Sequence, residues 1–176
     1  MKTLTELVNK INAPVFSKVY LRENGSGKYT IYYEGSKAYL AFTKGDIVTI
    51  PLKDSNVKGF EIQEIYVPKA DRNNHYARTL LDACIEIAIG DNSNIYLCAS
   101  AMDNMTDQEK LVKFYIGMGF EQIPSEELED NQNPDIFFVY YILFITFVYK
   151  DHQLTYCSIK SKTFIIRCNF LYCLII

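Results

Sequence analysis

A polar loop between two regular segments carries most of the chemistry in this sequence. Residues 62–67 read as a buried strand that runs straight into Pro68-Lys69-Ala70-Asp71-Arg72-Asn73-Asn74-His75-Tyr76-Ala77, where a helix begins. The first N–H groups of a helix have no partner inside it, and together with the helix dipole they make a seat for a phosphate. Two carboxylates, Glu61 and Glu64, lie on the strand before the loop, and a phenol, Tyr115, lies on a later helix. A positioned carboxylate can remove a proton and a phenol can return one.

The elements that must position these groups follow from pattern. Between residues 15 and 52 the chain is rich in Tyr, Val, Ile and Phe, and it is broken by Asn24-Gly25-Ser26-Gly27, Gly35-Ser36 and Lys44-Gly45-Asp46. Those breaks are turn chemistry, so four short antiparallel strands are expected near 15–22, 28–34, 37–43 and 46–52. After the loop, Ala77, Leu80, Leu81, Cys84, Ile87 and Ala88 recur at steps of three and four, which gives a helix with one apolar face. Gly90 and Asp91-Asn92-Ser93 stop it, and residues 94–100 supply a strand. Strand, helix and strand within about forty residues form a right-handed crossover, which sets the two strands parallel. A second helix is expected from an N-cap at Thr106, with Glu109 at capping-box spacing, to Gly117 or Gly119. A short strand at 120–123, an acidic loop at 125–134 and a closing strand from 135 to 143 complete the body. Thr3 and Glu6 also have capping-box spacing and mark a short helix near the start.

Composition narrows the classes of partner. The net charge is -3, but four Lys/Arg and one Asp follow Tyr141, which leaves 14 basic and 20 acidic residues in the body. Phosphate backbones need a positive stripe, so no nucleic-acid partner is expected, and an amine substrate suits the acidic body better. The five cysteines form no C-x-x-C pair and only His75 and His152 accompany them, so no metal is implied. Cys84 and Cys98 read as core residues. The N-terminus lacks an apolar signal core, and a cytoplasmic protein with reduced thiols is expected.

The strand at 62–67, the loop at 72–77, the helix that follows, and Phe114-Tyr115-Ile116-Gly117-Met118-Gly119-Phe120 together resemble the GNAT superfamily of N-acetyltransferases. The likeness covers residues 61–120 and extends to the last strand near 142. It implies an α/β fold with a central, mostly antiparallel sheet, a parallel strand pair that splays apart, and flanking helices. It also implies acetyl-CoA as cosubstrate. The backbone of Ile65, Tyr66 and Val67 would pair with the pantetheine arm. The N–H groups of Asn73, Asn74, His75, Tyr76 and Ala77 would hold the pyrophosphate, with Arg72 and Arg78 adding charge-assisted bonds. The family often carries Asn seven residues before its tyrosine, and Gln108 keeps an amide there. His75 stands where the family has a glycine; Asn and His are the residues that tolerate positive φ best after glycine, so the loop can keep its shape.

By the same resemblance the reaction is direct attack of an amine on the thioester, with no covalent enzyme intermediate and no metal. Glu64 or Glu61 would take the amine's proton and Tyr115 would protonate the departing thiolate. The acceptor would be an amine of a small molecule or a protein. The alternative is a catalytically silent member of the same fold that no longer binds CoA and serves as a binding module. Tyr29, Tyr32, Tyr33 and Tyr39 read as sheet packing, with an acceptor pocket as the functional alternative.

The end of the chain differs in character. Residues 136–149 are apolar or aromatic except for Thr146. As a helix they would span about 21 Å, short of a hydrocarbon core of about 30 Å. As one strand they would reach about 46 Å, far beyond usual strand lengths. The division expected is therefore a domain at 1–143, with no membrane role, and an apolar extension at 144–176 outside the core fold.

Overall fold

A computed structural model of the chain describes residues 18–100, 107–129, 136–149 and 152–159, with side chains described as far as Ile142. Strands β1 (Val19–Gly25), β2 (Lys28–Tyr33), β3 (Tyr39–Asp46) and β4 (Lys58–Tyr66) form an antiparallel meander. The tight turn between β1 and β2 places Gly25, Ser26 and Gly27 at positive φ. A Cβ on Gly27 would stand 2.8 Å from the Lys44 carbonyl oxygen, so only glycine lets the turn lie against β3. Helix α1 (Tyr76–Asp91) then crosses over to β5 (Ile95–Ala99), which pairs parallel with β4. Helix α2 (Gln108–Gly117), β6 (Glu121–Gln122) and β7 (Ile136–Tyr140) follow. The sheet runs β1-β2-β3-β4-β5-β7-β6, and the pairs other than β4–β5 are antiparallel. This is the mixed α/β arrangement expected from the pattern.

The apolar face of α1 explains why the sheet closes on one side. Leu80, Leu81, Cys84, Ile87 and Ala88 are buried against Ile31, Leu40, Phe42, Phe60 and Ile62, which project from alternate positions of β2, β3 and β4. A smaller cluster of Ile47, Ile50, Tyr96, Ile123, Phe137 and Val139 forms separately. Gly59 permits the close approach of β4 to the start of β5, because a Cβ there would lie 2.6 Å from the Asn94 carbonyl oxygen. Phe60 N–H donates to that oxygen at 2.9 Å.

Three expectations are corrected. Residues 46–52 do not form a fourth hairpin strand after β3. The N–H groups of Val48 and Thr49 donate to the Glu61 carboxylate, Ile47 N–H donates to Val57, and Pro51 has no N–H to give a ladder. Only Leu52 makes a bridge, to Leu128. Second, the N-cap of α2 is Asp107, whose carboxylate accepts from Glu109 N–H at 2.9 Å. Third, the closing strand ends at Tyr140 rather than 143. Ile142 begins β8 (Ile142–Tyr149), which pairs with β9 (His152–Ile159) in a separate two-stranded sheet. Ile142 N–H donates to Asn94 Oδ1 at 2.8 Å, which fixes where the chain leaves the main sheet. The helix expected near Thr3 and the N-cap expected at Thr106 lie outside the described residues.

Candidate functional site

The parallel pair is short. Phe60, Glu61 and Ile62 lie opposite Ile95, Tyr96 and Leu97, and there the registered pairing of β4 with β5 ends. Strand β4 continues to Tyr66 along β3, so among the described residues its edge toward β5 has no registered partner beyond Ile62. At the same point β4 bulges: Phe42 pairs with Ile62 and Ala41 with Glu64, which leaves Gln63 without an opposite residue. A bulge bends its strand and increases the local twist, and here it turns β4 at the mouth of the opening. Ile65 and Tyr66 pair with Leu40 and Tyr39 of β3, so only alternate backbone groups of this stretch point to the open edge, where they resemble those at the edge of a sheet.

The loop beyond that edge holds a specific shape. Asn73 has φ 68° and His75, the N-cap of α1, has φ 61°. Left-handed backbone costs an ordinary residue roughly 1–2 kcal/mol, and such outliers collect where function needs them. No side chain caps α1. Its first intrahelical bond runs from Thr79 N–H to the His75 carbonyl at 3.0 Å, so the N–H groups ahead of Thr79 face outward with the positive end of the dipole. They open on a cavity of about 480 Å³ lined by Val67, residues 71–73, residues 75–78 and Phe114. Arg72 and Arg78 bring positive charge to it. Asp71 brings negative charge, and its carboxylate accepts a 2.5 Å hydrogen bond from Ser36 Oγ. Arg72 Nε donates to the Val67 carbonyl at 3.4 Å. Tyr76 is held by stacking on Tyr33, with ring centroids 4.1 Å apart.

The structure brings together most of the residues expected from sequence to bind an anion and separates others. Val67, Arg72, Asn73, His75, Tyr76, Ala77 and Arg78 line the cavity, whereas Asn74 is exposed and is not part of the lining. Gln108 lies outside the lining, with its amide Nε2 donating to the Ala99 carbonyl at 2.5 Å, a bond that ties α2 to the end of β5. Glu61 does not face the opening. It is 1% exposed, and its carboxylate accepts from Val48 N–H, Thr49 N–H and the Thr49 hydroxyl. Those bonds give it a role in folding residues 47–50, in place of the general base expected. Glu64 sits just past the bulge and accepts from the Tyr39 hydroxyl at 2.7 Å. That hydrogen bond, followed by burial, pushes the Tyr39 phenol up to about 12.

Tyr115 is 6% exposed and packs edge-on against Phe114 and Phe120, with Phe138 tilted beside it. Burial pushes its phenol up to about 12, so it remains protonated across the neutral range. Its neighbour Phe114, not Tyr115 itself, lines the cavity. Phe114, Ser36 and the bulge at Gln63 were missed from sequence. Phe114 precedes the more conspicuous Tyr115, and the Ser36–Asp71 bond and the bulge depend on long-range contacts that no local signal encodes.

No protein-family model matches the sequence, and no curated protein matches it. Among solved structures, the chain is similar to an acetyltransferase of the GNAT family from Staphylococcus aureus Mu50, at 20% identity over 65% of this chain and 67% of that one, with a TM-score of 0.45. It is similar to the N-acetyltransferase YlbP of Bacillus subtilis in complex with coenzyme A, at 17% identity over 80% and 82% of the two chains, with a TM-score of 0.42. It is also similar to a chain of the KacTA–DNA complex, at 13% identity over 77% and 79%, with a TM-score of 0.48.

Proposed function

We propose that the chain is an acyl-CoA-dependent N-acyltransferase, with acetyl-CoA as cosubstrate and an amine as acceptor. The observation that carries this reading is the meeting of two features: a parallel strand pair that stops pairing after Ile62 and Leu97, and an uncapped helix N-terminus beside it. A pantetheine arm is an extended chain with amide groups and a thioester at its end. The open edge of Ile65–Val67 suits the amides, and the cavity at the head of α1 suits a pyrophosphate, with Arg72 and Arg78 as charge-assisted donors.

The chemistry follows from this placement. A primary amine with a pKa near 10.4 is neutral in only about one molecule in 2,500 at pH 7, a handicap of about 4.6 kcal/mol. Glu64, at the mouth of the opening, accepts the ammonium proton. The freed lone pair forms a C–N bond to the thioester carbonyl while the C–S bond breaks and its electrons leave with sulfur. The second nitrogen proton and the one held by Glu64 are released to water, the thiolate is protonated by Tyr115, and Tyr115 regains its proton from solvent. A backbone N–H near Val67 is the donor for the carbonyl oxygen, and much of the rate comes from alignment of the two reactants.

The test is release of CoA thiol from acetyl-CoA in the presence of a panel of amines. Amine-dependent release by the chain, absent for Glu64→Ala, is expected. Acetyl-CoA binding without turnover of any amine would favour the silent binding module of the same fold.

A further inference from the structure

The face of the sheet opposite α1 carries a feature that the sequence treated as ordinary packing. Tyr20 lies opposite Tyr32, Tyr32 opposite Tyr39, and Tyr39 opposite Tyr66, so the four tyrosines form one straight row across β1, β2, β3 and β4. Neighbouring ring centroids are 5.3, 6.3 and 5.4 Å apart. Tyr29 and Tyr33 belong to the other face and pack with the α1 core. A core would hide such a row, yet Tyr20 is 56% and Tyr66 43% exposed, while Tyr32 and Tyr39 are half-buried. Aligned, partly exposed phenols present ring surface and hydroxyls together, a combination that holds an apolar body with a polar end.

Charge on this face is placed unevenly. Glu64 lies beside the Tyr39–Tyr66 end of the row, across from Ala41, whose small side chain leaves room in front of the carboxylate. One Glu64 oxygen takes the Tyr39 hydroxyl proton, which fixes the carboxylate while leaving it further acceptor positions. Two cations on the strands share the face, Arg22 on β1 opposite Thr30 and Lys28 on β2 opposite Thr43, and neither lies opposite Tyr39, Tyr66 or Glu64. A ligand cation is therefore drawn to the Glu64 end, where a ring face within about 6 Å adds attraction of its own. Glu64 and Tyr66 also belong to the part of β4 beyond the last pair with β5.

We infer that the tyrosine row with Glu64 is the acceptor site, and that it takes a small molecule bearing a primary ammonium group on an apolar, ring-containing body. The ammonium sits at Glu64 beside the strand opening, the body lies along Tyr66, Tyr39 and Tyr32, and Tyr39 positions the carboxylate. This assignment rests on the acyl-transfer reading, because it makes the strand opening the route by which the acyl group reaches the amine.

The experiment is a ligand-observed NMR titration of the full chain with 2-phenylethylamine, and with 3-phenylpropanoate as the acidic counterpart, without acetyl-CoA. Saturable binding of the amine is expected, with the acid bound at least tenfold more weakly. Glu64→Gln and Tyr66→Ala should each weaken the amine about tenfold, and Tyr39→Phe should weaken it less while leaving the chain folded by melting temperature. Equal binding of amine and acid, or amine affinity unchanged in Glu64→Gln, would overturn the assignment. A chain that is stabilised by acetyl-CoA but shows no saturable amine binding would also overturn it while sparing the cofactor reading. Amine binding with no response to acetyl-CoA would remove the acyl-transfer role and with it the name acceptor site.

Discussion

Tyr115 and Glu64 occupy different surroundings, and their roles separate accordingly. Tyr115 is enclosed by aromatic rings, which keep it protonated and make it a weaker acid than a free phenol, while Glu64 stands at an opening, held by one phenol. Replacing Tyr115 by Phe should leave acetyl-CoA affinity unchanged and slow turnover about 10²-fold, at the low end for loss of a general acid. Steady-state rates with matched calorimetric titrations check this, and an unchanged kcat would remove Tyr115 from the mechanism. The same residue predicts a pH effect. A phenol ordinarily near 10 and pushed up to about 12 in the fold is most favourable when protonated. Its contribution to stability is whole below pH 10 and is lost as pH rises toward 12. The fall of melting temperature across that window should be shallower for Tyr115→Phe than for the parent, and an identical fall would show that the phenol is not held in this way. Tyr115 stands out in the sequence as a candidate because Phe114-Tyr115 and the glycines after it lie within a few residues of one another. The burial of Glu61 was not legible, since the groups that claim it, on Val48 and Thr49, lie 12 to 13 positions earlier and meet it only once the sheet has formed.

The helices, the antiparallel strands before the loop and the parallel β4–β5 pair were legible from pattern, whereas the course of residues 46–52 was not. Helix α1 declares itself by three- and four-residue steps, and the loop before it by residues that tolerate positive φ. The expected strand at 46–52 failed because apolar alternation cannot reveal that a buried carboxylate will take the backbone N–H groups a ladder needs. Glu61→Gln should accordingly destabilise the chain by about 2 kcal/mol, since a charged acceptor for two N–H groups and a hydroxyl becomes a neutral one. Urea unfolding measures this, and acetyl-CoA affinity should not change; weakened cofactor binding with intact stability would instead place Glu61 at the site. At the head of α1, His75→Gly should relieve left-handed strain and raise stability by up to about 1 kcal/mol, whereas His75→Val should lower it. Opposite signs are required, and a loss of stability in both variants would mean that the imidazole itself supports the loop.

At the scale of the molecule, the seven-stranded sheet is complete at Tyr140, and β8 pairs with β9 instead of joining it. A chain that stops after Ile142, which keeps the bond to Asn94, should melt within a few degrees of the parent; failure to fold would make the apolar end part of the core. The order of strands, the opening between β4 and β5 and the seat at α1 combine into one claim, that a nucleotide-bearing thioester lies between the two parallel strands with its pyrophosphate on the helix. The most direct measurement is the melting temperature of the full chain with and without acetyl-CoA. Ligand at a hundred times Kd should stabilise the fold by about 2.7 kcal/mol and raise the melting temperature by several degrees, and Arg72→Ala should reduce that rise. No rise at millimolar acetyl-CoA in a chain that otherwise melts cooperatively would contradict the claim.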